Sequence, residues 1–162
     1  MERGPIFFYK HMPKKTEWHV FSQWYPSQFE EGGVTFNNAE QYMMAHKALL
    51  FKDNYHYEKI MESTDPSVIK NYGKRIKNFN QSIWNKYKFE IVTQGNRLKF
   101  QQNSDLMEIL MKTNGKMLVE ASPYDKIWGI GLSESKAVQI PQDEWPGQNL
   151  LGKALMKVRN EN

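Results

Sequence analysis

The fold is decided by the stretch 37-NNAEQYMMAHKALLF-51, which predicts the clearest helix in the chain. Asn37 is a residue type that caps helix N-termini well, and Glu40 lies three residues later, where the carboxylate of a capping box belongs. The run from Ala39 to Phe51 consists mainly of strong helix formers. We therefore predict a helix that is capped by Asn37 and ends near Phe51.

Glu40 and Lys47 are predicted to lie on one face of this helix. Together with Met44 and Phe51 they occupy positions i, i+4, i+7 and i+11, which form a single stripe. Roughly 10 Å of helix axis separates the two charged residues. Two interpretations are open: Glu40 is a capping residue and Lys47 a solvated lysine, or both side chains line the floor of one pocket.

Other segments predict helix more often than strand. Asp65 followed by Pro66 has the pattern of an N-cap and a first helical residue, and this helix is expected to stop near Gly73. Gly32-Gly33 predicts a turn. Further helices are predicted over residues 81–92, 104–112 and 150–158, and short strands over residues 7–9, 34–36 and 116–122.

The predicted fold class is therefore α-rich, mainly α with a few short β-strands. No internal repeat, low-complexity tract or linker interrupts the sequence. We predict one compact domain over residues 1–162, with residues 1–5 as a flexible tail.

The composition excludes several classes of site. The chain contains no cysteine, which excludes disulfide scaffolds, cysteine-based zinc sites and thiol nucleophiles. Its four histidines show no metal-ligand spacing such as HExxH, so we assign no metal and predict no cofactor. The apolar runs are too short for a membrane span, and no signal-peptide pattern opens the sequence. We expect a cytoplasmic or nuclear protein without a membrane partner.

Charge and aromatic content favour a ring-bearing anionic ligand without requiring one. The chain has 22 Lys and Arg against 18 Asp and Glu, a formal charge of +4 that suits a phosphate ester and permits contact with nucleic acid. Aromatic residues make up 14% of the chain, more than a small core needs. Some rings are expected to stack on a ligand; the alternative is an aromatic-rich core.

A second candidate site lies in the segment from Asp125 to Gly131. Gly129 and Gly131 follow Trp128, and such glycines let backbone N–H groups approach a ligand closely. The GxGxxG dinucleotide fingerprint is absent. The alternative is that Trp128 belongs to the core and the glycines form a bulge. Asn149, at the start of the last predicted helix, is either part of an anion site or an ordinary N-cap.

Short motifs also follow one another along the chain in a characteristic order. The first two are Phe21-Ser22-x-Trp24-Tyr25-Pro26 and the helix motif at 38–48. The middle group comprises Asp65-Pro66, Gly73-Lys74-Arg75, Trp84 and Lys99-Phe100-x-Gln102-Asn103. The last group comprises residues 118–122, Asp125, Trp128-Gly129-x-Gly131-Leu132 and Asn149-x-Leu151-Gly152-x-x-Leu155-Met156-x-Val158-Arg159. From about Phe7 to Arg159, the chain resembles the NADAR (YbiA-like) family of N-glycosidases.

Two positions depart from the family pattern. Gln23 stands where the family usually has Asn, and Gln41 follows Glu40 where His is common. The first departure is expected to alter a contact to the ligand. Neither removes the matching acids or Lys47.

The resemblance implies an α-rich fold and hydrolysis of a ribose C1–N bond. The implied substrates are ribosylamino-pyrimidine phosphates of riboflavin biosynthesis, or ADP-ribose attached to guanine in DNA or RNA. Glu40 is the implied carboxylate beside C1, Asp125 a second acid or ribose ligand, and Lys47 either a Schiff-base amine or a binding residue. The implied ligand-binding residues are Phe21, Ser22, Trp24, Arg75, Trp84, Trp128, Gly129, Gly131 and Asn149.

Two other functions remain open at this point. A non-catalytic ADP-ribose-binding module would have the same pocket but would not need Glu40 or Lys47. A small basic nucleic-acid-binding domain fits the charge and the aromatic residues, although no basic stripe or known binding motif supports it.

Overall fold

The computed structural model describes residues 4–162, so residues 1–3 of the predicted tail lie outside the described residues. It confirms an α-rich fold with a few short strands. The helices are α1 (Ala39–Leu50), α2 (Asn54–Glu62), α3 (Pro66–Gly73), α4 (Gln81–Gln101), α5 (Ser104–Met111), α6 (Glu134–Ala137) and α7 (Leu150–Asn160). The strands are β1 (Ile6–Phe8), β2 (Phe29–Glu31), β3 (Val34–Phe36) and β4 (Leu118–Glu120), and 3-10 turns cover Glu17–Phe21 and Gln142–Glu144.

The chain divides into two compact units. One comprises residues 23–104 and is called here the helical unit; the other, the strand-pair unit, comprises the chain up to Ser22 and from Asp105 to Asn162. One domain over residues 1–162 stays a prediction. Within residues 4–162, none of the helices is long and apolar enough to cross a membrane. The cytoplasmic or nuclear location likewise stays a prediction.

The helical unit is built around α1. This helix packs against α2, α3 and α4, and its small residues Ala45 and Ala48 are fully buried where the helices approach one another. Beside them, β2 and β3 form an antiparallel hairpin whose turn is the predicted pair Gly32-Gly33, with φ angles of 59° and 83°. Positive φ angles suit glycine because it lacks a Cβ atom.

The N-terminus of α1 differs by one residue from the sequence-based prediction. Asn38, rather than Asn37, is the N-cap: its Oδ1 accepts the Gln41 N–H at 2.8 Å. The Gln41 side chain, rather than that of Glu40, reaches back and accepts the Asn37 N–H at 2.8 Å. Asn37 is held outside the helix because its carbonyl accepts the Ser27 N–H at 2.9 Å. The prediction that Glu40 is the capping-box carboxylate was therefore wrong.

The other helices of the helical unit differ in how well the sequence predicted them. The predicted α3 is confirmed, with the Asp65 side chain accepting the Ser67 N–H at 2.8 Å. The sequence-based prediction did not include α2, whose N-cap is the buried Asp53. It also ended α4 at residue 92, whereas the helix continues to Gln101. The polar composition beyond that point does not reveal burial, yet Asn96 and Lys99 are fully buried.

The strand-pair unit contains the parallel pair of β1 and β4. Ile6 lies opposite Leu118, and α7 packs against β4. Phe8 and Phe21 meet edge to face in its core, with ring centroids 5.7 Å apart. This core explains why Phe21, one of the predicted ligand-binding residues, is completely buried.

Asn149 precedes α7 but does not cap it with its side chain. Its backbone is left-handed, with φ 54°, and no capping hydrogen bond forms. Instead, its Oδ1 accepts the Glu120 N–H at 3.0 Å and its Nδ2 donates to the Leu118 carbonyl at 2.9 Å. Asn149 is thus the N-cap residue by position, since its carbonyl accepts the Lys153 N–H at 3.0 Å, but its side-chain amide joins the start of α7 to β4 instead of capping the helix.

Candidate functional site

The predicted site residues divide between the two units. Glu40, Lys47, Trp24, Arg75 and Trp84 lie in the helical unit, and Asp125 lies in the strand-pair unit. The other predicted residues of the strand-pair unit are Phe21, Ser22, Trp128, Gly129, Gly131 and Asn149.

Lys47 has the most constrained surroundings of the helical unit's predicted residues. Its Nζ donates to the Gly73 carbonyl at 2.9 Å. The same ammonium lies 4.7 Å from the centroid of the Phe79 ring and 5.6 Å from that of Trp84. Contacts of this length are cation–π interactions. Lys47 is thus held by one carbonyl and two ring faces and is not the freely solvated lysine of the alternative interpretation.

Gly73 reaches Lys47 because α3 ends directly against α1. A Cβ atom at Gly73 would collide with Met44 Sδ, so any larger residue there would require the Met44 side chain to move. Met44 and Lys47 share one face of α1, and the Gly73 carbonyl therefore meets the ammonium. Gly73, the residue near which α3 was predicted to end, therefore also contacts Lys47.

Glu40 lies in the first turn of the same helix and is 4% exposed. Its backbone N–H donates to the Gln23 carbonyl at 3.0 Å. The side-chain hydrogen bonds of the helix cap come from Asn38 and Gln41. Charged side chains are rarely buried to this extent, which makes Glu40 a candidate for a functional use of its charge.

The charge of Glu40 also acts on Lys47. Burial lowers the pKa of the Lys47 amine, while the negative charge of Glu40 raises it, and the net direction is downward. A lysine with a lowered pKa provides more neutral amine at neutral pH. The pair can therefore supply a negative charge and a nucleophilic amine from one helix face.

Gln23, the departure from the family pattern, makes two contacts with neighbouring helices. Its backbone carbonyl receives the Glu40 N–H, and its Oε1 accepts from Asn96 Nδ2 at 2.9 Å. Gln23 thereby ties the first motif to both α1 and α4. An altered ligand contact at Gln23 stays a prediction.

Phe79 was missed by the sequence analysis. Its ring is 41% exposed, yet it covers the Lys47 ammonium and packs on Phe51 with centroids 5.3 Å apart. The preceding Asn78 has φ 61°, a left-handed turn that aims the ring toward α1. The one available signal was an aromatic residue next to a turn-forming Asn, which is too common to identify a site.

Trp84 and Arg75 have contrasting positions. Trp84 is 7% exposed and contributes to the Lys47 surroundings. Arg75 is exposed, and its guanidinium lies 5.9 Å from the Tyr72 ring. The structure thus groups Glu40, Lys47 and Trp84, and does not bring Arg75 into that group. Trp24 is half-buried.

In the strand-pair unit, Asp125 organises the turn that carries Trp128. Its Oδ1 accepts the Ile127 N–H at 2.9 Å and the Trp128 N–H at 2.8 Å. Its own N–H donates to Ser122 Oγ at 3.2 Å. Asp125 therefore has a structural task, whether or not it also acts as an acid.

Close packing accounts for both glycines of this segment. A Cβ atom at Gly129 would lie 2.9 Å from the Glu120 carbonyl oxygen, and Gly131 has φ 73°. Trp128, which directly precedes Gly129, is half-buried. Ser122, with its hydroxyl at the turn, is buried, as is Ser22. Ligand contacts by Phe21, Ser22, Trp128, Gly129, Gly131 and Asn149 stay predictions.

The described residues 4–162 contain no group of three or more His, Asp or Glu side chains arranged to hold a metal ion.

Known proteins resemble the chain along nearly its whole length. The family model described as the NADAR domain matches residues 7–161. An N-glycosidase of Acanthamoeba polyphaga mimivirus is 56% identical over 162 residues, covering 97% of this chain and 95% of that protein. Protein irg-1 of Caenorhabditis elegans is 39% identical over 160 residues, covering 88% of this chain and 74% of that protein. The NMR structure of the E. coli protein YbiA matches with a TM-score of 0.80 at 26% identity, covering 99% of this chain and 86% of that one.

These similarities confirm the family and the enzyme class that the sequence motifs predicted. They favour an enzyme over a non-catalytic reader or a general nucleic-acid binder, and family membership implies a small-molecule substrate of nucleotide type. The chain belongs to the NADAR family and is an N-glycosyl hydrolase.

Proposed function

We propose that the chain hydrolyses the C1–N bond of a phosphate-bearing riboside, with Glu40 and Lys47 as the catalytic residues. The observation that carries this proposal is the environment of Lys47. Its amine is fixed by the Gly73 carbonyl and two rings, and its pKa is lowered on the same helix face as the buried Glu40.

Glu40 stabilises the positive charge that develops at C1. Cleavage of a ribose C1–N bond passes through an oxocarbenium-like state, and a fixed carboxylate nearby lowers its free energy without solvent reorganisation. The same carboxylate orients the water that adds to C1. The departing base takes up one proton as its bond to C1 breaks, and the water that adds to C1 gives up one proton, so that no net charge is left.

Lys47 acts on the opened sugar. As a neutral amine it adds to the C1 aldehyde, and loss of one water molecule forms an imine. Addition of water to that imine releases the sugar and restores the amine. The lowered pKa supports this role because it increases the fraction of neutral Lys47.

The remaining predicted residues bind the substrate in this proposal. Trp24, Trp84 and Trp128 are the proposed stacking residues, and Asp125 is the proposed ribose ligand or second acid. The proposed substrates are ADP-ribose on guanine in DNA or RNA, and a ribosylamino-pyrimidine phosphate. Both present an anion, which suits the net charge of +4.

The test uses both substrates with the purified chain. Mass spectrometry of each reaction is expected to show release of the base together with the sugar phosphate or ADP-ribose from one of them. The Glu40→Gln variant serves as the control and should release little of either. Absence of release from both substrates by the parent protein would reject the proposal.

A further inference from the structure

Lys88 is a buried cation to which the proposed mechanism assigns no role. It lies one helical turn after Trp84 on the same face of α4, and the two residues are 8% and 7% exposed. Lysines are rarely buried to this extent unless an acid accompanies them.

No acid accompanies Lys88. Its Nζ donates to the Asn85 side-chain oxygen at 2.9 Å, and that oxygen also accepts from Gln81 Nε2 at 2.7 Å. Among residues 4–162, Lys88 forms no ion pair with a carboxylate. The ammonium therefore donates to one neutral acceptor, on the exposed Asn85.

Two more exposed cations of the helical unit, Lys59 and Arg75, have different surroundings. Lys59 pairs with Glu62 at 3.6 Å and is 36% exposed. Arg75, the residue that the sequence analysis proposed for phosphate binding, is exposed and lies beside the Tyr72 ring. Lys88 is thus buried and has no carboxylate of the protein as a partner. Both properties are expected of a lysine that binds an anionic ligand.

We propose that Lys88, with Asn85 beside it, binds the phosphate group of the substrate. This inference rests on the proposed function, because it places the phosphate next to Trp84, whose ring covers Lys47. An ammonium and an amide Nδ2 group are both donors to phosphate oxygens. A charge-assisted contact of this kind strengthens binding by roughly tenfold or more.

The test measures binding rather than turnover, in the Glu40→Gln background so that no substrate is consumed. Ribose 5-phosphate and ADP-ribose are the probes, and adenosine is the phosphate-free reference. The variants are Lys88→Met, which removes the charge, and Asn85→Asp, which places a competing carboxylate beside the ammonium. Lys86→Met is the matched control, because Lys86 is exposed and lies over the Tyr87 ring.

Lys88→Met and Asn85→Asp are each expected to weaken binding of at least one phosphate-bearing probe by roughly tenfold or more, with adenosine unchanged. Lys86→Met should leave all three affinities unchanged. A loss confined to ribose 5-phosphate assigns the site to a phosphate monoester, and a loss confined to ADP-ribose assigns it to a pyrophosphate. Unchanged probe affinity in Lys88→Met, or an equal loss for adenosine, overturns the proposal.

Turnover and binding together distinguish failure of the proposed catalytic function from failure of the Lys88 inference. If the parent protein cleaves neither substrate but Lys88→Met still loses phosphate affinity selectively, the phosphate site stands and the catalytic assignment falls. If the substrates are cleaved and Lys88→Met binds both phosphate probes as the parent does, only the Lys88 inference falls.

Discussion

The Lys47 ammonium lies 4.7 Å from the centroid of the Phe79 ring, so an exposed aromatic residue from the loop between α3 and α4 covers the amine of α1. The Gly73 carbonyl holds the same ammonium at 2.9 Å. The cation–π contact favours the charged form of the amine, whereas burial lowers its pKa. Phe79 is therefore expected to influence both the position and the protonation of Lys47.

Phe79→Leu should shift the pH dependence of turnover. Leu keeps an apolar cover but removes the ring that stabilises the ammonium, so the pKa of Lys47 should fall further below its usual value. If neutral Lys47 is the reacting species, the rising limb of kcat should move to lower pH by the same amount. The measurement is kcat against pH for the parent and the variant.

Phe79→Tyr is the matched control because it keeps a ring over the amine. Its pH profile should coincide with that of the parent. Coincident profiles for all three proteins would show that Phe79 does not influence the reacting amine.

Glu40→Gln should abolish most activity without affecting the fold. Asn38 and Gln41 form the helix cap, so the substitution leaves the capping hydrogen bonds in place. Loss of the charge beside C1 should reduce turnover by roughly 10² or more, with the melting temperature nearly unchanged. Gln41→Ala provides the contrast, because the buried Gln41 amide also donates to the Ile60 and Ser63 carbonyls. It should lower the melting temperature. Full activity in Glu40→Gln would exclude Glu40 from catalysis.

Lys47→Ala tests whether an amine takes part in the reaction. Borohydride reduces an imine to a stable amine, so the parent protein incubated with substrate should gain the mass of the bound sugar. The variant should gain no such mass. A reduced adduct located on a different lysine would assign the imine to that residue instead.

Asp125 can be tested for a turn-forming role separately from an acidic one. Asparagine retains the side-chain oxygen that accepts the Ile127 and Trp128 N–H groups, and alanine does not. A purely structural Asp125 predicts normal activity in Asp125→Asn and lowered stability in Asp125→Ala, by roughly 1–3 kcal/mol. A catalytic or ribose-binding carboxylate predicts that Asp125→Asn keeps its melting temperature and loses activity. Thermal unfolding and kcat/KM for the two variants separate these cases.

Lys99 should make the stability of the protein depend on pH. Complete burial lowers the pKa of this amine from 10.5 to about 7. Between these two values the unfolded state binds more protons than the folded state, so the free energy of unfolding rises with pH. The destabilisation is fully present below about pH 7 and disappears above the pKa of the unfolded chain.

Urea unfolding of the parent and Lys99→Met at several pH values checks this expectation. The stability of the parent relative to the variant should rise between pH 7 and pH 10, by up to about 1.4 kcal/mol per pH unit. A difference that is independent of pH would mean that Lys99 does not titrate in this range.

Local structure was predictable from the sequence where it depends on neighbouring residues. Asp65 and Pro66 begin α3, and Gly32-Gly33 form the hairpin turn, because caps and turns are hydrogen-bonded within a few residues. The family was also predictable from the sequence. Its motifs are short, and their order along the chain can be recognised without knowledge of the fold. The same local rules could not decide whether Asn37 or Asn38 is the N-cap of α1. A hydrogen bond from the Ser27 N–H to the Asn37 carbonyl keeps Asn37 outside the helix.

For the candidate site, the sequence by itself determined that an acid and a lysine share one face of α1. Helical periodicity alone places Glu40 and Lys47 there. Only the tertiary structure decided what surrounds them: Gly73 and Phe79 come from later segments and meet Lys47 when α3 and the following loop pack on α1. Burial of Lys88 and the use of the Asn149 amide by β4 likewise depend on elements distant in the sequence. The physical reason is that periodicity is set by backbone geometry, whereas desolvation and side-chain partners arise only when separate elements pack together.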